Sequence, residues 1–280
     1  MSSGPERWQL GGHAPELYER YLVPAVTLPW AEDLLDRVCP SRGDRVLDVA
    51  CGTGVVARVA AARVGNGGRV VGLDVNGGML AVARAAPSIP SGASIEWVEG
   101  SALALPFAAG EFTVVVCQLG LQFFEDRLGA LREMHRVLAE PGRVGASVFT
   151  AIDRNPAAHA LAESLDRHFG EGASAAKRGE HSLGSSEELR ALSTTAGFVD
   201  VRVETVTRNV RFASVEEWVR IQFDATPLAS LLRKRESAER ADAIAAVSAD
   251  VGASLARFAR DHDFSFPQEV NVLLASGGVR

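Results

Sequence analysis

The sequence predicts an α/β protein with a mostly parallel, doubly wound sheet, and two observations carry that prediction. From residue 44 to residue 150, short Val- and Leu-rich runs alternate with Ala-rich runs that fit helices. Strands that alternate with helices in this way form parallel sheets with helices on both faces. The first such unit, "VLDVACGTG" (46–54), interrupts a buried strand with one carboxylate and two glycines.

The predicted elements then follow in a regular order. Strands are predicted at 45–50, 68–75, 94–100, 112–118 and 143–149. Helices are predicted at 54–64, 77–86 and 126–138. Beyond the fifth strand, the pattern predicts helices at 157–170 and 186–196, a Gly/Ser-rich loop at 170–186, a strand at 198–212, a largely helical segment at 214–263 and a last strand at 266–276.

Composition and charge disfavour several classes of protein. The 280 residues contain 29 Lys and Arg against 35 Asp and Glu, a formal net charge of −6. Proteins that wrap nucleic acid carry an excess of basic residues, and this chain has an excess of acidic ones, so we expect no nucleic-acid partner. Three cysteines without paired spacing predict neither a disulfide framework nor a metal site. We find no signal peptide and no apolar run of roughly 18 residues, and we therefore expect a cytoplasmic protein without membrane insertion.

The turn after the first strand is the candidate binding site. Gly52 and Gly54 permit a tight turn and let backbone N–H groups at a helix start approach a ligand. Asp74 closes the second strand twenty residues after Gly54, where a carboxylate can accept hydrogen bonds from both hydroxyls of a ribose. In the alternative interpretation Asp74 caps the next helix, although Asn76 could fill that role instead.

Asp48 favours one of two nucleoside cofactors. The run "GTGVVA" (52–57) also satisfies a dinucleotide-binding pattern. A carboxylate beneath the turn would repel a pyrophosphate, whereas it would attract a cation such as the ammonium group of S-adenosylmethionine. An NAD(P)-dependent oxidoreductase remains the less favoured alternative, because Asp48 is then unexplained and no Tyr-x-x-x-Lys site is present.

At this point the sequence resembles a known family. "VLDVACGTG" (46–54) and "VVGLDVNGGML" (70–80) resemble the first two motifs of class I S-adenosylmethionine-dependent methyltransferases of the small-molecule type, which act on quinone precursors and secondary metabolites. "WVEGSALALPF" (97–107) and "FTVVVCQLGLQFFED" (112–126) resemble the third and fourth motifs. The resemblance implies a Rossmann-like, doubly wound, seven-stranded sheet whose last strand is antiparallel, with a helical lid insertion.

The resemblance also implies the site residues. The turn glycines would pass beneath the methionine part of the cofactor, and Asp74 would hold the ribose. The expected cofactor contacts are Tyr21, Asp48, Ala50, Gly52, Gly54, Asp74, Val75, Met79, Ser101, Ala102 and Gln118. The expected acceptor pocket includes Tyr18, Trp30 and Gln122. Ala50 stands where many relatives carry glycine, a change that we expect a helix to accommodate, and Ser101 stands where an aspartate usually reaches the adenine amino group.

Methyl transfer requires alignment and a dry site more than a dedicated catalytic residue. A general base is needed only if the acceptor must lose a proton. His159, in the helix after the fifth strand, is the candidate base, with a packed or exposed histidine as the alternative. The Ala-, Leu-, Phe- and Trp-rich lid indicates a small, largely apolar acceptor. The sequence leaves open the attacking atom, the oligomeric state, and whether such a fold serves instead as a cyclase or a binding protein.

These inferences predict one domain over residues 1–280. Residues 1–43 are expected to form an N-terminal helical cap, and residues 44–150 a cofactor-binding core. Residues 214–263 are expected to form a helical lid that is inserted before the last strand.

Overall fold

The structure is a computed structural model that describes residues 10–87, 89–233, 235–260 and 263–278. The first nine residues of the expected cap lie outside the described residues, as do residues 234, 261 and 262 of the expected lid.

Eight strands form one sheet in the described chain. They are β1 (Arg45–Val49), β2 (Arg69–Asp74), β3 (Ile95–Glu99), β4 (Phe112–Gln118), β5 (Leu138–Phe149), β6 (Phe198–Phe212), β7 (Ala259–Arg260) and β8 (Asp263–Gly277). Their order is β3-β2-β1-β4-β5-β8-β6, with the two-residue β7 paired to β8 off this path. Strands β1 to β5 pair in parallel, and β8 pairs antiparallel with β5 and β6. The predicted doubly wound sheet with an antiparallel last strand is confirmed.

Helices cover both faces of the sheet and one of its ends. They are α1 (Ala14–Leu17), a π-helix (Tyr18–Thr27), α2 (Leu28–Val38), α3 (Val55–Val64), α4 (Gly77–Ala85), α5 (Arg127–Val137), α6 (Pro156–Phe169), α7 (Ala175–Gly179), α8 (Ser186–Thr195), α9 (Val215–Ala225), α10 (Ala229–Leu232) and α11 (Ser237–Ser254). Three short 3₁₀ turns complete the elements: Leu121–Phe123, Ile152–Arg154 and Ala256–Phe258. The prediction of a loop at 170–186 was wrong in part, because α7 lies within it.

Three apolar clusters hold these layers together. One sheet face packs on α5 and α8, through residues such as Leu131 and Leu189. The other face packs on α2 and α3, where Ala57 is fully buried and its small side chain lets α3 lie close to β1. A third cluster joins α6, α9 and α11 to the ends of β6 and β8, around Trp218. No helix in the described part of the chain is long and apolar enough to cross a membrane.

The strand order places the site. β1 has β2 on one side and β4 on the other, so the direction of winding reverses between β1 and β4. The loops that follow the carboxyl ends of these two strands run in opposite directions, and a crevice forms between them. Doubly wound sheets bind ligands in such a crevice.

Candidate cofactor and acceptor site

A cavity of about 320 Å³ opens at this crevice, a size in the range of small-molecule sites. Its core end is formed by residues that follow β1, β2, β3 and β4: Asp48, Ala50, Gly52, Asp74, Val75, Met79, Ser101, Ala102 and Gln118. Its lid end is formed by residues from the second half of the chain: Phe149, Asn155, Lys177, Glu180, His181, Trp218, Gln222 and Phe266. The π-helix lies along the cavity, with Tyr18, Leu22, Val26 and Thr27 in the lining.

Asp48 is the most deeply buried charged group at the core end, with 1% of its surface exposed. Its Oδ2 accepts a hydrogen bond from the Ala57 N–H at 2.9 Å, which ties the carboxyl to the first turn of α3. Its Oδ1 is buried without a hydrogen-bond partner among the described residues. Burial raises the pKa of Asp48 to about 8, against the lowering effect of the Ala57 N–H. Buried carboxylate oxygens without donors are costly, so this group favours a polar or cationic ligand.

Asp74 closes β2 and fixes the glycine turn. Its Oδ2 accepts from the Gly52 N–H and its Oδ1 from the Asn76 N–H, both at 2.8 Å. Burial raises the pKa of Asp74, and these N–H groups oppose the rise. Asn76 caps α4 by accepting from the Gly78 and Met79 N–H groups, so Asp74 is not the helix cap. A carboxylate has about four acceptor sites, so these N–H groups leave acceptor capacity for a ligand.

The turn residues have different roles. Gly52 has a φ of +56° and lines the cavity, and its contact with a cofactor stays a prediction. Gly54 has a φ of +86° but does not line the cavity, and a Cβ there would lie 2.2 Å from Cη2 of Trp97. Gly54 therefore makes room for the Trp97 indole, and its prediction as a cofactor contact was wrong. Ala50 lines the cavity with a φ of +58°. It lies in the turn, so the expectation that a helix accommodates it was also wrong.

An apolar slot borders Asp74. Val75 is 54% exposed, which is unusual for valine, while Met79 and Ala102 are buried beside it. Ser101 is exposed at the slot's edge, and its Oγ accepts from the Leu103 N–H at 3.1 Å. Such a slot between two apolar walls, next to a hydroxyl-binding carboxylate, suits a flat heterocycle attached to a ribose.

Gln118 joins the core end to the π-helix. Its Nε2 donates to the Thr27 carbonyl at 2.8 Å, and its Oε1 is buried without a partner among the described residues. Tyr18, from the first turn of the π-helix, lines the cavity, and its contact with the acceptor stays a prediction. Burial raises the pKa of Tyr18, and the nearby charges of Glu19, Asp74 and Glu180 add to this rise.

Two aromatic predictions were wrong. The guanidinium carbons of Arg20 and Arg220 lie 5.1 Å and 5.7 Å from the ring centroid of Tyr21. It lines a separate groove rather than the cavity. Trp30 packs inside the α2–α3 cluster and donates from Nε1 to Oε1 of Gln268 at 2.6 Å. It supports a residue of the cavity wall and does not line the wall itself.

Two polar predictions were wrong as well. Gln122 is buried beside the cavity without lining it, because its Nε2 turns back to the Leu119 carbonyl at 2.9 Å. His159 faces away from the cavity, with 45% of its side chain exposed and its Nε2 3.7 Å from Glu163. Helix α6 presents its alanines to the cavity, including Ala157 and Ala158. His159 therefore cannot act as the base in this arrangement.

Sequence reasoning missed a polar cluster at the lid end. Lys177 Nζ donates to both carboxylate oxygens of Glu180, at 2.9 and 2.8 Å, and to Oε1 of Gln222 at 2.8 Å. His181 follows directly, and its Nδ1 lies 2.7 Å from the Thr150 carbonyl oxygen. All four residues are more than nine-tenths buried. The signal was a Lys and a Glu three residues apart, but the surrounding glycines and serines made this segment resemble a loop.

The lid end therefore combines aromatic walls with this polar cluster. Phe149, Trp218 and Phe266 contribute rings to the lining. Within the described ranges, no three His, Cys, Asp or Glu side chains are grouped so that they could hold a metal ion.

The arrangement is that of class I S-adenosylmethionine-dependent methyltransferases, in which a glycine turn and an acidic strand end lie at the switch point of a sheet with one antiparallel strand. The fold of a phosphoethanolamine N-methyltransferase from Haemonchus contortus, in complex with S-adenosyl-L-methionine, is similar. Its TM-score is 0.55 at 18% identity, over 90% of this chain and 53% of that one.

The sequence of residues 26–163 matches the ubiE/COQ5 methyltransferase family. The chain is 30% identical over 193 residues to a demethylmenaquinone methyltransferase of Geobacillus sp., covering 65% of this chain and 82% of that protein. The chain belongs to the ubiE/COQ5 methyltransferase family. It is also 40% identical over 117 residues to a chloroplastic 2-phytyl-1,4-beta-naphthoquinone methyltransferase of Arabidopsis thaliana, over 41% of this chain and 45% of that protein. The match spans about half the length of several such relatives.

Proposed function

We propose that the protein binds S-adenosylmethionine at the core end and transfers its methyl group to a small, largely apolar acceptor at the lid end. The observation that carries the proposal is Asp48, whose buried Oδ1 lacks a partner among the described residues and borders the cavity. A phosphate-bridged dinucleotide would bring negative charge to this carboxylate. A cofactor with an ammonium group would instead satisfy it.

The residues present fit this cofactor. Asp48 and the buried Oε1 of Gln118 are acceptors for an ammonium group. Asp74 retains acceptor sites for ribose hydroxyls, and Val75 and Met79 flank the slot for adenine. When bound, the cofactor supplies an electrophilic methyl group on a sulfonium centre.

At the lid end, the side chains of the protein provide a dry site and hold the acceptor in position. Aromatic and aliphatic side chains line it and exclude water from the reacting groups, which strengthens electrostatic interactions there. Holding the acceptor in line with the methyl group can contribute roughly 7–11 kcal/mol to lowering the barrier. The quinone methyltransferases among its relatives support an aromatic, largely apolar acceptor for this chain too. A cytoplasmic location is part of the proposal.

Calorimetry with S-adenosylmethionine, S-adenosylhomocysteine and NADH tests the cofactor. We expect micromolar binding of the first two and none of NADH. Asp74→Ala should weaken binding about 100-fold (about 3 kcal/mol), because hydrogen bonds to a charged group contribute roughly 1.5–3 kcal/mol each. The exposed Asp153→Asn serves as the matched control. Binding of NADH in place of both sulfur compounds would refute the proposal.

Mass spectrometry tests the transfer itself. Reduced 1,4-naphthoquinone incubated with the protein and S-adenosylmethionine should gain one methyl group, together with an equal amount of S-adenosylhomocysteine. The rival function, a methyltransferase fold that serves as a cyclase or a binding protein, predicts saturable cofactor binding with no methylated product from any phenol or quinol tested.

A further inference from the structure

The geometry of His181 fixes which ring nitrogen carries the proton. Its Nδ1 lies 2.7 Å from the Thr150 carbonyl oxygen, which can only accept a hydrogen bond. Nδ1 is therefore the donor, and Nε2 of the neutral ring holds a free lone pair. The described residues provide no hydrogen bond to Nε2. The imidazole lines the cavity with its centroid 5.2 Å from the Phe149 ring, which restricts its rotation.

The neighbouring polar groups are already engaged with one another. Both oxygens of Glu180 accept from Lys177 Nζ, and Gln222, on α9, accepts from the same amine. Both oxygens of the Glu180 carboxylate are therefore occupied by its ion pair with Lys177. Tyr18, on the π-helix, lines the same cavity and keeps its proton, because burial raises the pKa of its hydroxyl.

These surroundings keep His181 neutral near pH 7. Burial lowers the pKa of His181 below its usual value, and the positive charge of Lys177 acts in the same direction. The negative charge of Glu180 and the Thr150 carbonyl oppose the shift without reversing it. A neutral imidazole with a free nitrogen in a dry cavity is the arrangement that a general base requires.

We propose that His181 is the general base of the acceptor site, and that the acceptor carries an acidic hydroxyl group, a phenol or an enol, which it presents to Nε2. This inference rests on the proposed methyl transfer and specifies its acceptor. A phenol or an enol passes its proton to an imidazole more readily than an aliphatic alcohol does, because conjugation stabilises the resulting negative charge, so a weakly basic imidazole favours an acceptor of this kind. The aromatic walls at the lid end, Phe149, Trp218 and Phe266, suit the ring of a phenol.

The step balances in atoms and charge. The hydroxyl proton moves to Nε2 and the O–H electron pair stays on the acceptor. The nucleophilic oxygen, or the ring carbon conjugated to it, forms a bond to the methyl carbon as the bond from that carbon to sulfur breaks, and sulfur keeps the electron pair. If carbon attacks, its hydrogen leaves as a proton and the oxygen regains one. One proton is released to water in either case, when the imidazolium returns to the neutral form.

Binding of two matched probes tests the proposal without turnover. 1-Naphthol and 1-methoxynaphthalene differ by the hydroxyl hydrogen that Nε2 would accept. Calorimetry in the presence and absence of S-adenosylhomocysteine should show about tenfold tighter binding of 1-naphthol to the wild type, because an unpaired buried acceptor is costly. This preference should weaken as the pH falls through the pKa of His181.

His181→Asn keeps a donor near the Thr150 carbonyl and removes the ring nitrogen. We expect the naphthol preference to disappear in this variant and in His181→Phe, while S-adenosylhomocysteine binding is unchanged and shows that the protein is folded. The exposed His159→Asn should behave as the wild type. An equal preference in the wild type and in both variants, or no binding of 1-naphthol to the wild type, overturns the proposal.

A kinetic measurement separates a base from a simple hydrogen-bond acceptor. With 1-naphthol as the methyl acceptor, His181→Asn should lower kcat by at least about 100-fold, with the KM for S-adenosylmethionine unchanged. The remaining rate should increase steadily with pH, because only the ionised naphthol then reacts. If the wild type does not bind S-adenosylhomocysteine, the proposed function is wrong. The preference for 1-naphthol over 1-methoxynaphthalene, measured without cofactor, still decides the role of His181 in that case.

Discussion

Replacing Asp48 with Asn tests whether a buried charge, rather than the shape of the turn, holds the ammonium group of the cofactor. Asparagine keeps the volume and the acceptor for the Ala57 N–H but has no charge. Because burial raises the pKa of Asp48 to about 8, about nine-tenths of the carboxyl groups are protonated at pH 7 before the ligand binds. A cation next to Oδ1 favours the ionised form, so binding must displace this proton.

The size of the effect follows from that pKa. Between pH 6 and pH 8, the ionised fraction of Asp48 in the free protein increases from about 1% to about 50%. If the ligand lowers this pKa below 6, affinity for S-adenosylhomocysteine should increase about 50-fold over the same interval. Asp48→Asn should bind about 30-fold more weakly than the wild type at pH 8, a loss of about 2 kcal/mol, and its affinity should not depend on pH.

Calorimetry in buffers with different ionisation enthalpies measures both the affinity and the protons released. We expect about 0.9 proton released per ligand at pH 7 in the wild type and in Asp153→Asn, and none in Asp48→Asn. A wild-type affinity that stays constant from pH 6 to pH 8 would refute the reasoning. So would a pH dependence that persists in Asp48→Asn.

The same substitution should stabilise the protein without ligand. Because the folded-state pKa of Asp48 lies above the ordinary value of 3.8, the folded protein disfavours the charge. Its contribution to stability is complete below about pH 4 and is lost as the pH rises through about 8. From pH 5.5 to pH 8, Asp48→Asn should gain up to about 3 kcal/mol in unfolding free energy relative to the wild type. Urea titrations at the two pH values measure this difference, and no change in it would contradict the assignment of a raised pKa.

Three further substitutions test packing and charge around the cavity. Ala50→Gly should raise the unfolding free energy by about 1 kcal/mol in urea titrations. Alanine at a φ of +58° costs roughly 1–2 kcal/mol, and the greater freedom of glycine in the unfolded chain offsets part of this gain. A loss of stability would contradict this. Gly54→Ala should destabilise by about 2–3 kcal/mol through its clash with Trp97, and combining it with Trp97→Leu should cost less than the sum of the two. Lys177→Met should destabilise the protein by about 3–5 kcal/mol, because Glu180 is then buried without its partner. The addition of Glu180→Leu should recover most of this loss. If thermal unfolding shows no recovery in the double variant, the ion pair is not the cause.

The parallel core could be predicted because its signals are local. β1, α3 and β2 follow one another within 30 residues. The pattern of apolar and polar residues in each element depends only on which faces of that element are buried. For the same reason Asp48, Gly52 and Asp74, which were predicted as cofactor contacts, line one cavity, since a strand and the loop after it stay together in any sheet of this kind. Their contact with a cofactor stays a prediction.

Errors arose where a side chain's direction depends on distant elements. Tyr18 and Tyr21 are three residues apart, yet a π-helix has a wider turn than an α-helix, and the two residues line different cavities. Gly54 could not be interpreted from its turn alone, because the group that approaches it is Trp97, from β3.

The sequence by itself determined the alternation of strands and helices and the acidic glycine turn, because these follow from patterns within single elements and their loops. The antiparallel last strand was expected only from the family resemblance. Only the tertiary structure decided the lid end. Lys177, Glu180, His181 and Gln222 belong to segments up to 45 residues apart along the chain, and they meet because α7 and α9 close over the same cavity wall. Burial in that wall favours a partner for each polar group, and His181 Nε2, which we infer to be free, is where we expect the acceptor to bind.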